Sequence, residues 1–213
     1  ITTANRVLFH RVANTLNYLD IKTVVVSCGT CMDQLLKYEF GKIFPECRLV
    51  DIHEWLFEKG IKLDGVKGVQ YMYHEPCHTP MKHHSGIKVA NALMGQRVDL
   101  SDRCCGESGS LAVSRPDVST QIRFRKQQEI EIGAARLREA GADKVGAGAT
   151  ANPAVKILTS CPSCLQGLSR YDNDADITAD YIVVEMAKAI LGPDWMQDYI
   201  RAANNGGVER VLL

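Results

Sequence analysis

Two segments of this chain repeat one arrangement: an apolar run, a serine, two cysteines separated by two residues, then a leucine. They are TVVVSCGTCMDQL from Thr23 and KILTSCPSCLQGL from Lys156, and they align without gaps. Thr23 to Val26 is a β-branched run suited to a strand buried on both faces. After it, Met32, Leu35, Leu36 and Phe40 carry helical spacing, with Ser27 as the expected cap. Each CxxC therefore falls at a strand-to-helix junction, where free backbone N–H groups and the helix dipole favour thiolates. A strand, a thiol-bearing turn and a helix form an α/β unit. Its recurrence at long period predicts a parallel-strand α/β fold of two pseudo-repeated halves.

Ahead of the second CxxC (Cys161, Cys164) stand a lone Cys77 in YHEPCHTP and an adjacent pair, Cys104-Cys105, in DRCCGESG. Ahead of the first (Cys28, Cys31) lie 27 residues without a cysteine. The expectation is a first half, residues 1–66, entered part-way, and a complete second half, residues 67–213. The missing lone cysteine and pair would then precede Ile1, and a chain that begins with Ile reads as processed or as a piece of something longer.

Between these words the pattern predicts helices over 1–19, 53–60 and 85–94, strands at 47–52 and 69–73, and a long charged helix from Asp117 to Ala140. Gly141 is the expected stop of that helix, and its balanced charges predict a largely solvated face. Residues 141–153, GADKVGAGATANP, read as a connector. Asp172-Asn173-Asp174 reads as a loop, 177–191 and 194–203 as helices, and VERVLL as a last strand. Pro76 and Pro80 place Cys77 on a loop at a strand end. Gly106 and Gly109 allow close backbone approach behind the cysteine pair.

With 213 residues, 46% hydrophobic content and 23% charge, the chain can bury a real core. A formal net charge of zero excludes a nucleic-acid surface built on bulk positive charge. No run reaches membrane-span length and no signal peptide is visible, so a cytoplasmic location is expected. Eight cysteines, clustered in motifs, suit metal or redox work better than structural disulfides.

Neighbouring side chains diverge on strands and helices alike, so an adjacent Cys-Cys pair packs poorly. It makes sense where several thiolates converge on something soft, and an iron–sulfur cluster fits. Zinc is the rival: four of Cys77, Cys104, Cys105, Cys161 and Cys164, or three with His78, could close a tetrahedral structural site. Thiol–disulfide chemistry at CGTC is a third reading, although it leaves the Cys-Cys pair idle. Cys47 fits no spacing and is expected as a buried core thiol. Of the histidines, His10, His53, His83 and His84 read as structural. His74 and His78 bracket Cys77 and could hydrogen-bond a cluster sulfur, with Glu107 as the carboxylate nearest the pair.

The words HEPCH, RCCGESG and TSCPSCLQGL resemble the cysteine-rich CCG family, which includes a subunit of heterodisulfide reductase and the iron–sulfur subunits of glycolate oxidase and lactate-utilisation systems. They look closest to the C-terminal part of FAD-linked oxidase/iron–sulfur fusion proteins. The resemblance implies tandem α/β half-domains and a four-iron cluster, in heterodisulfide reductase a noncubane one. By it, Cys77, Cys104, Cys105, Cys161 and Cys164 are ligands, while Cys28 and Cys31 serve a second site completed upstream. It further implies electron transfer within a larger FAD-dependent 2-hydroxy-acid oxidoreductase, with a flavin-containing domain or subunit as partner. No GxGxxG loop places FAD on this chain. The long helix and connector set the pair farther from Cys161 than is usual in that family.

Overall fold

The structure, a computed structural model, describes residues 2–16, 21–107, 111–142 and 154–206. In chain order the elements are α1 (Thr2–Thr15), β1 (Thr23–Val26), α2 (Gly29–Lys37), α3 (Phe40–Ile43), β2 (Arg48–Asp51), α4 (Ile52–Glu58), β3 (Val69–His74), α5 (Gly86–Met94) and β4 (Val98–Ser101). There follow α6 (Leu111–Ser114), α7 (Pro116–Ala142), β5 (Ala154–Thr159), α8 (Pro162–Leu168), a 3₁₀ turn (Ser169–Tyr171), α9 (Asp172–Ala175), β6 (Thr178–Tyr181), α10 (Ile182–Leu191) and α11 (Trp195–Asn204).

Among the described residues every strand pairing is parallel. β1 and β2 form one small sheet, and β4-β3-β5-β6 form a second. The α/β class with parallel strands is thus the observed one. In β3, Tyr71, Met72, Tyr73 and His74 are all buried, as a central strand covered on both faces requires. Tyr71, Tyr73 and Leu158 pack with Val89, Leu93, Ile182 and Met186 on one face. Met72, Val155 and Ile157 pack with Ile130, Ala134, Leu137 and Leu168 on the other. Tyr71 carries its hydroxyl into the core because Glu185 accepts from it at 2.6 Å, and Lys156 in turn pairs with Glu185.

The same succession, strand, CxxC, helix, strand, helix, runs from β1 to α4 and again from β5 to α10. Several local expectations change. The residue at the start of α2 is Cys28, not Ser27, and that of α8 is Cys161; neither makes a side-chain cap bond. A strand, β6, precedes α10 where the pattern predicts one helix, because Thr178–Tyr181 finds backbone partners along β5. β4 forms at VDLS, and Asp172–Ala175 is a helical turn rather than a loop. α7 runs through Gly141, and its inner face is buried, Lys126 included. Cys47 is only partly buried. Gly109, most of the 141–153 connector and VERVLL lie outside the described residues. Among the described residues, no helix is long and apolar enough to cross a membrane.

Candidate metal centre

Parallel pairing sets three strand ends level. His74, the last residue of β3, lies opposite Ser101 at the end of β4 and opposite Thr159 at the end of β5. The chain leaves β3 toward β4 on one side and later returns as β5 on the other. The crevice at their C-terminal ends is therefore the switch point at which open α/β sheets place their sites. Each cysteine word begins just beyond one of these three ends: Cys77 after β3, Cys104-Cys105 after β4, Cys161 and Cys164 after β5.

The Cys105 and Cys164 sulfurs stand 3.5 Å apart and are buried. With a ring nitrogen of His74 they form a group whose potential ligand atoms all lie within 4.8 Å of one another. Cys161 stands one helical turn before Cys164 and Cys104 adjoins Cys105, and each perturbs the titration of its neighbour. Cys77 is exposed on its loop, and its charge is felt at Cys104. The structure thus brings Cys105, Cys164 and His74 into one group, with Cys104 and Cys161 as their chain neighbours and Cys77 outside it.

Two thiols are shifted downward. Cys105 is held below the ordinary thiol value by its neighbours Cys104 and Cys164, joined by His74 and the Glu107 N–H. Cys161 is lowered to about 6 by the Cys164 thiol, helped by the N–H groups of Cys164 and Ser163 at the start of α8. Their neighbours move the other way: Cys164 is raised by Cys105 and Cys161, and Cys104 by Cys105. The Gly106 N–H meets the Cys104 sulfur at 3.4 Å, and Gly106 has φ 75°. Thiols whose values are shifted downward beside backbone N–H donors suit a soft metal.

The supporting contacts are specific. Lys126, fully buried, donates to Ser101 O and Oγ and to Glu129, whose other oxygen accepts from the Asp102 and Arg103 N–H groups. This clamp fixes the turn that delivers the cysteine pair. Glu107 turns its carboxylate to Arg170 at 2.7 Å, and its Cβ would lie 2.8 Å from a Cβ built on Gly167, so α8 approaches the pair closely only with glycine there. His78 directs Nδ1 to Asp33 at 2.8 Å, at the surface.

Cys28 and Cys31 form a separate pair at the start of α2, where Cys28 raises Cys31. The two CxxC turns nonetheless meet at Tyr181: its hydroxyl reaches Ser160 O at 3.0 Å and also Ser27 O, the carbonyls just before Cys161 and Cys28. Behind Tyr181, the buried His53 holds Asp51 at 2.8 Å. Sequence reasoning makes His74 only a neighbour of the sulfurs; its place at the end of the central strand, level with Ser101 and Thr159, puts it among the candidate ligands.

Comparison with known proteins gives a consistent, distant picture. A family described as a domain of unknown function, DUF3400, matches residues 169–213. An uncharacterized iron–sulfur protein of Methanocaldococcus jannaschii is 26% identical over 186 residues, 82% of this chain and 34% of that protein. An uncharacterized iron–sulfur protein of Methanococcus maripaludis is 25% identical over 120 residues, 54% of this chain and 24% of that protein. The chain thus spans about a third of the length of the first relative and a quarter of the second. No solved structure matches.

Proposed function

We propose that this chain is an iron–sulfur electron-transfer module in which Cys77, Cys104, Cys105, Cys161 and Cys164 hold one cluster of the four-iron type. The observation that supports the reading is the meeting of Cys105 and Cys164, in contact although 59 positions apart, with His74 at the end of a third strand beside them. Five thiols exceed what one tetrahedral ion needs, and the donor set is wholly soft. The names of the two relatives support iron–sulfur chemistry. The cluster would supply the electron-carrying metal. The chain's own residues lower Cys105 and Cys161, bury the inner face of the site, and aim N–H groups of Gly106, Glu107 and Ser163 at the sulfurs. Cys28 and Cys31 belong, in this reading, to a second site shared with chain outside residues 1–213, so that 1–66 and 67–213 are an incomplete and a complete half. The physiological setting we propose is a larger FAD-linked 2-hydroxy-acid oxidoreductase, with the flavin on another domain or subunit.

One observation favours a second reading. About a zinc ion with Zn–S near 2.3 Å, two tetrahedral thiolates stand about 3.8 Å apart. Cys105 and Cys164 are close to that spacing, and His74 completes a ligand set typical of structural zinc with a third cysteine. The test is anaerobic reconstitution of the full chain with iron and sulfide. Matched iron and acid-labile sulfide, with a visible charge-transfer band lost in Cys105→Ser, supports the cluster. One tightly held zinc that excludes iron, without sulfide, overturns it in favour of the second reading.

A further inference from the structure

Twelve arginines lie among the described residues, and eight of them sit within 4 Å of a carboxylate: Arg6, Arg48, Arg97, Arg115, Arg136, Arg138, Arg170 and Arg201. Of the four without a carboxylate partner, only Arg11 is remote from the thiol site. The other three, Arg103, Arg123 and Arg125, surround the Cys104–Gly106 turn. Arg103 precedes Cys104 in the chain. Arg123 packs against Gly106 so closely that a Cβ there would lie 2.8 Å from its Cγ, and its Nε is buried without a partner. Arg125 is exposed one helical step away on α7, its carbonyl accepting from Arg103 Nη1 at 3.4 Å.

This clustering has a shape. A cavity of about 470 Å3 is lined by Arg103, Cys104, Ile122, Arg125 and Gln128. No carboxylate lines it, although Glu129 and Glu131 stand on the same helix. Its volume falls in the range that takes small molecules. Two guanidiniums offer forked N–H donors that match an oxyanion in bidentate fashion, Gln128 adds an amide, and Ile122 gives an apolar wall for a carbon body. With no carboxylate at the cavity to compete, both guanidiniums keep their forks for an anion from outside.

We propose that this cavity binds a small organic oxyanion, a carboxylate or a phosphate ester, against the solvent face of Cys104. Binding needs only the protein and does not depend on the iron–sulfur reading. That the anion would lie beside the electron-carrying centre does rest on that reading.

The experiment is calorimetric titration of the full chain, prepared without metal, with oxalate and with inorganic phosphate at constant ionic strength, chloride serving as control. Arg103→Gln and Arg125→Gln change exposed side chains, so the fold is expected to survive; circular dichroism and the urea midpoint verify it. Saturable one-to-one binding of either anion, weakened about tenfold or more by each substitution and unchanged in Arg11→Gln, supports the proposal. The preferred anion then tells the carboxylate source from the phosphate source. Absence of saturable binding for both, equal competition by chloride, or the same affinity in Arg125→Gln overturns it. Reconstitution with iron and sulfide in Arg125→Gln separates the two claims: the cluster should form normally there even as anion binding is lost.

Discussion

Lys126 is the most exacting place to test how the cysteine pair is held. It is wholly buried on α7, and its ammonium joins Ser101, the last residue of β4, to Glu129, which in turn accepts from Asp102 and Arg103. Replacing it by Met keeps the volume but leaves the Glu129 carboxylate without its cation and Ser101 O without its donor. Removing one partner of a buried pair costs about 3–5 kcal/mol; because Glu129 keeps some contact with water, the lower end, about 3 kcal/mol, applies. For a chain of this length that is a fall in Tm of about 6–12 °C. Urea unfolding of the metal-free chain measures it. The pH dependence supplies a second constraint. Burial acts to raise Glu129, but the Lys126 ammonium donating to it prevails and holds it below the usual carboxylate value. The stability this lends the wild type is present above the unfolded carboxyl value of about 4.3 and is lost as pH falls through the lower folded value. In Lys126→Met, protonating Glu129 relieves a buried charge instead. The gap between the two proteins should therefore be widest at neutral pH and narrow from about pH 5 downward. A loss under about 1 kcal/mol, or an equal loss at pH 7 and pH 4, would refute the clamp.

Other outcomes follow from the same geometry. In the metal-free chain at pH 7, Cys161 should be alkylated by iodoacetamide before Cys104, its rate dropping as pH falls through about 6; mass spectrometry showing Cys104 faster would contradict the opposite shifts of the two thiols. Tyr181→Phe should cost about 1–2 kcal/mol by leaving Ser160 O unpaired, whereas Tyr199→Phe at an exposed site should cost nothing measurable. Gly29→Ala would put a Cβ 1.6 Å from His78 O, so α2 and the Cys77 loop must separate; a loss of about 1–3 kcal/mol is expected, against no loss for Gly41→Ala, which meets nothing within 4 Å.

Much of the site is readable because its chemistry is written in local words. A β-branched run followed by CxxC and a helical pattern can hardly place its cysteines anywhere but at a strand end, and both Cys28 and Cys161 begin helices there. What escapes the sequence depends on partners distant in the chain. Thr178–Tyr181 carries little strand pattern of its own and becomes β6 through its register with Lys156–Thr159. Lys126 looks like one more surface charge until Ser101 and Glu129 close over it. His74 joins the candidate ligands because β3 is flanked by β4 and β5 in a register no local motif encodes. The unpaired state of Arg103, Arg123 and Arg125 likewise exists only in three dimensions, since carboxylates are near all three in sequence.

The central claim is that five cysteines from three strand ends share one inorganic centre, and differential alkylation reads it directly. The chain is reconstituted anaerobically, labelled, stripped of metal, labelled again with an isotopic partner reagent, and digested. The account predicts that Cys77, Cys104, Cys105, Cys161 and Cys164 are protected together by loading while Cys47 is labelled equally in both states. Protection of Cys161 and Cys164 without the Cys104-Cys105 pair, or of Cys28 and Cys31 alone, would contradict it.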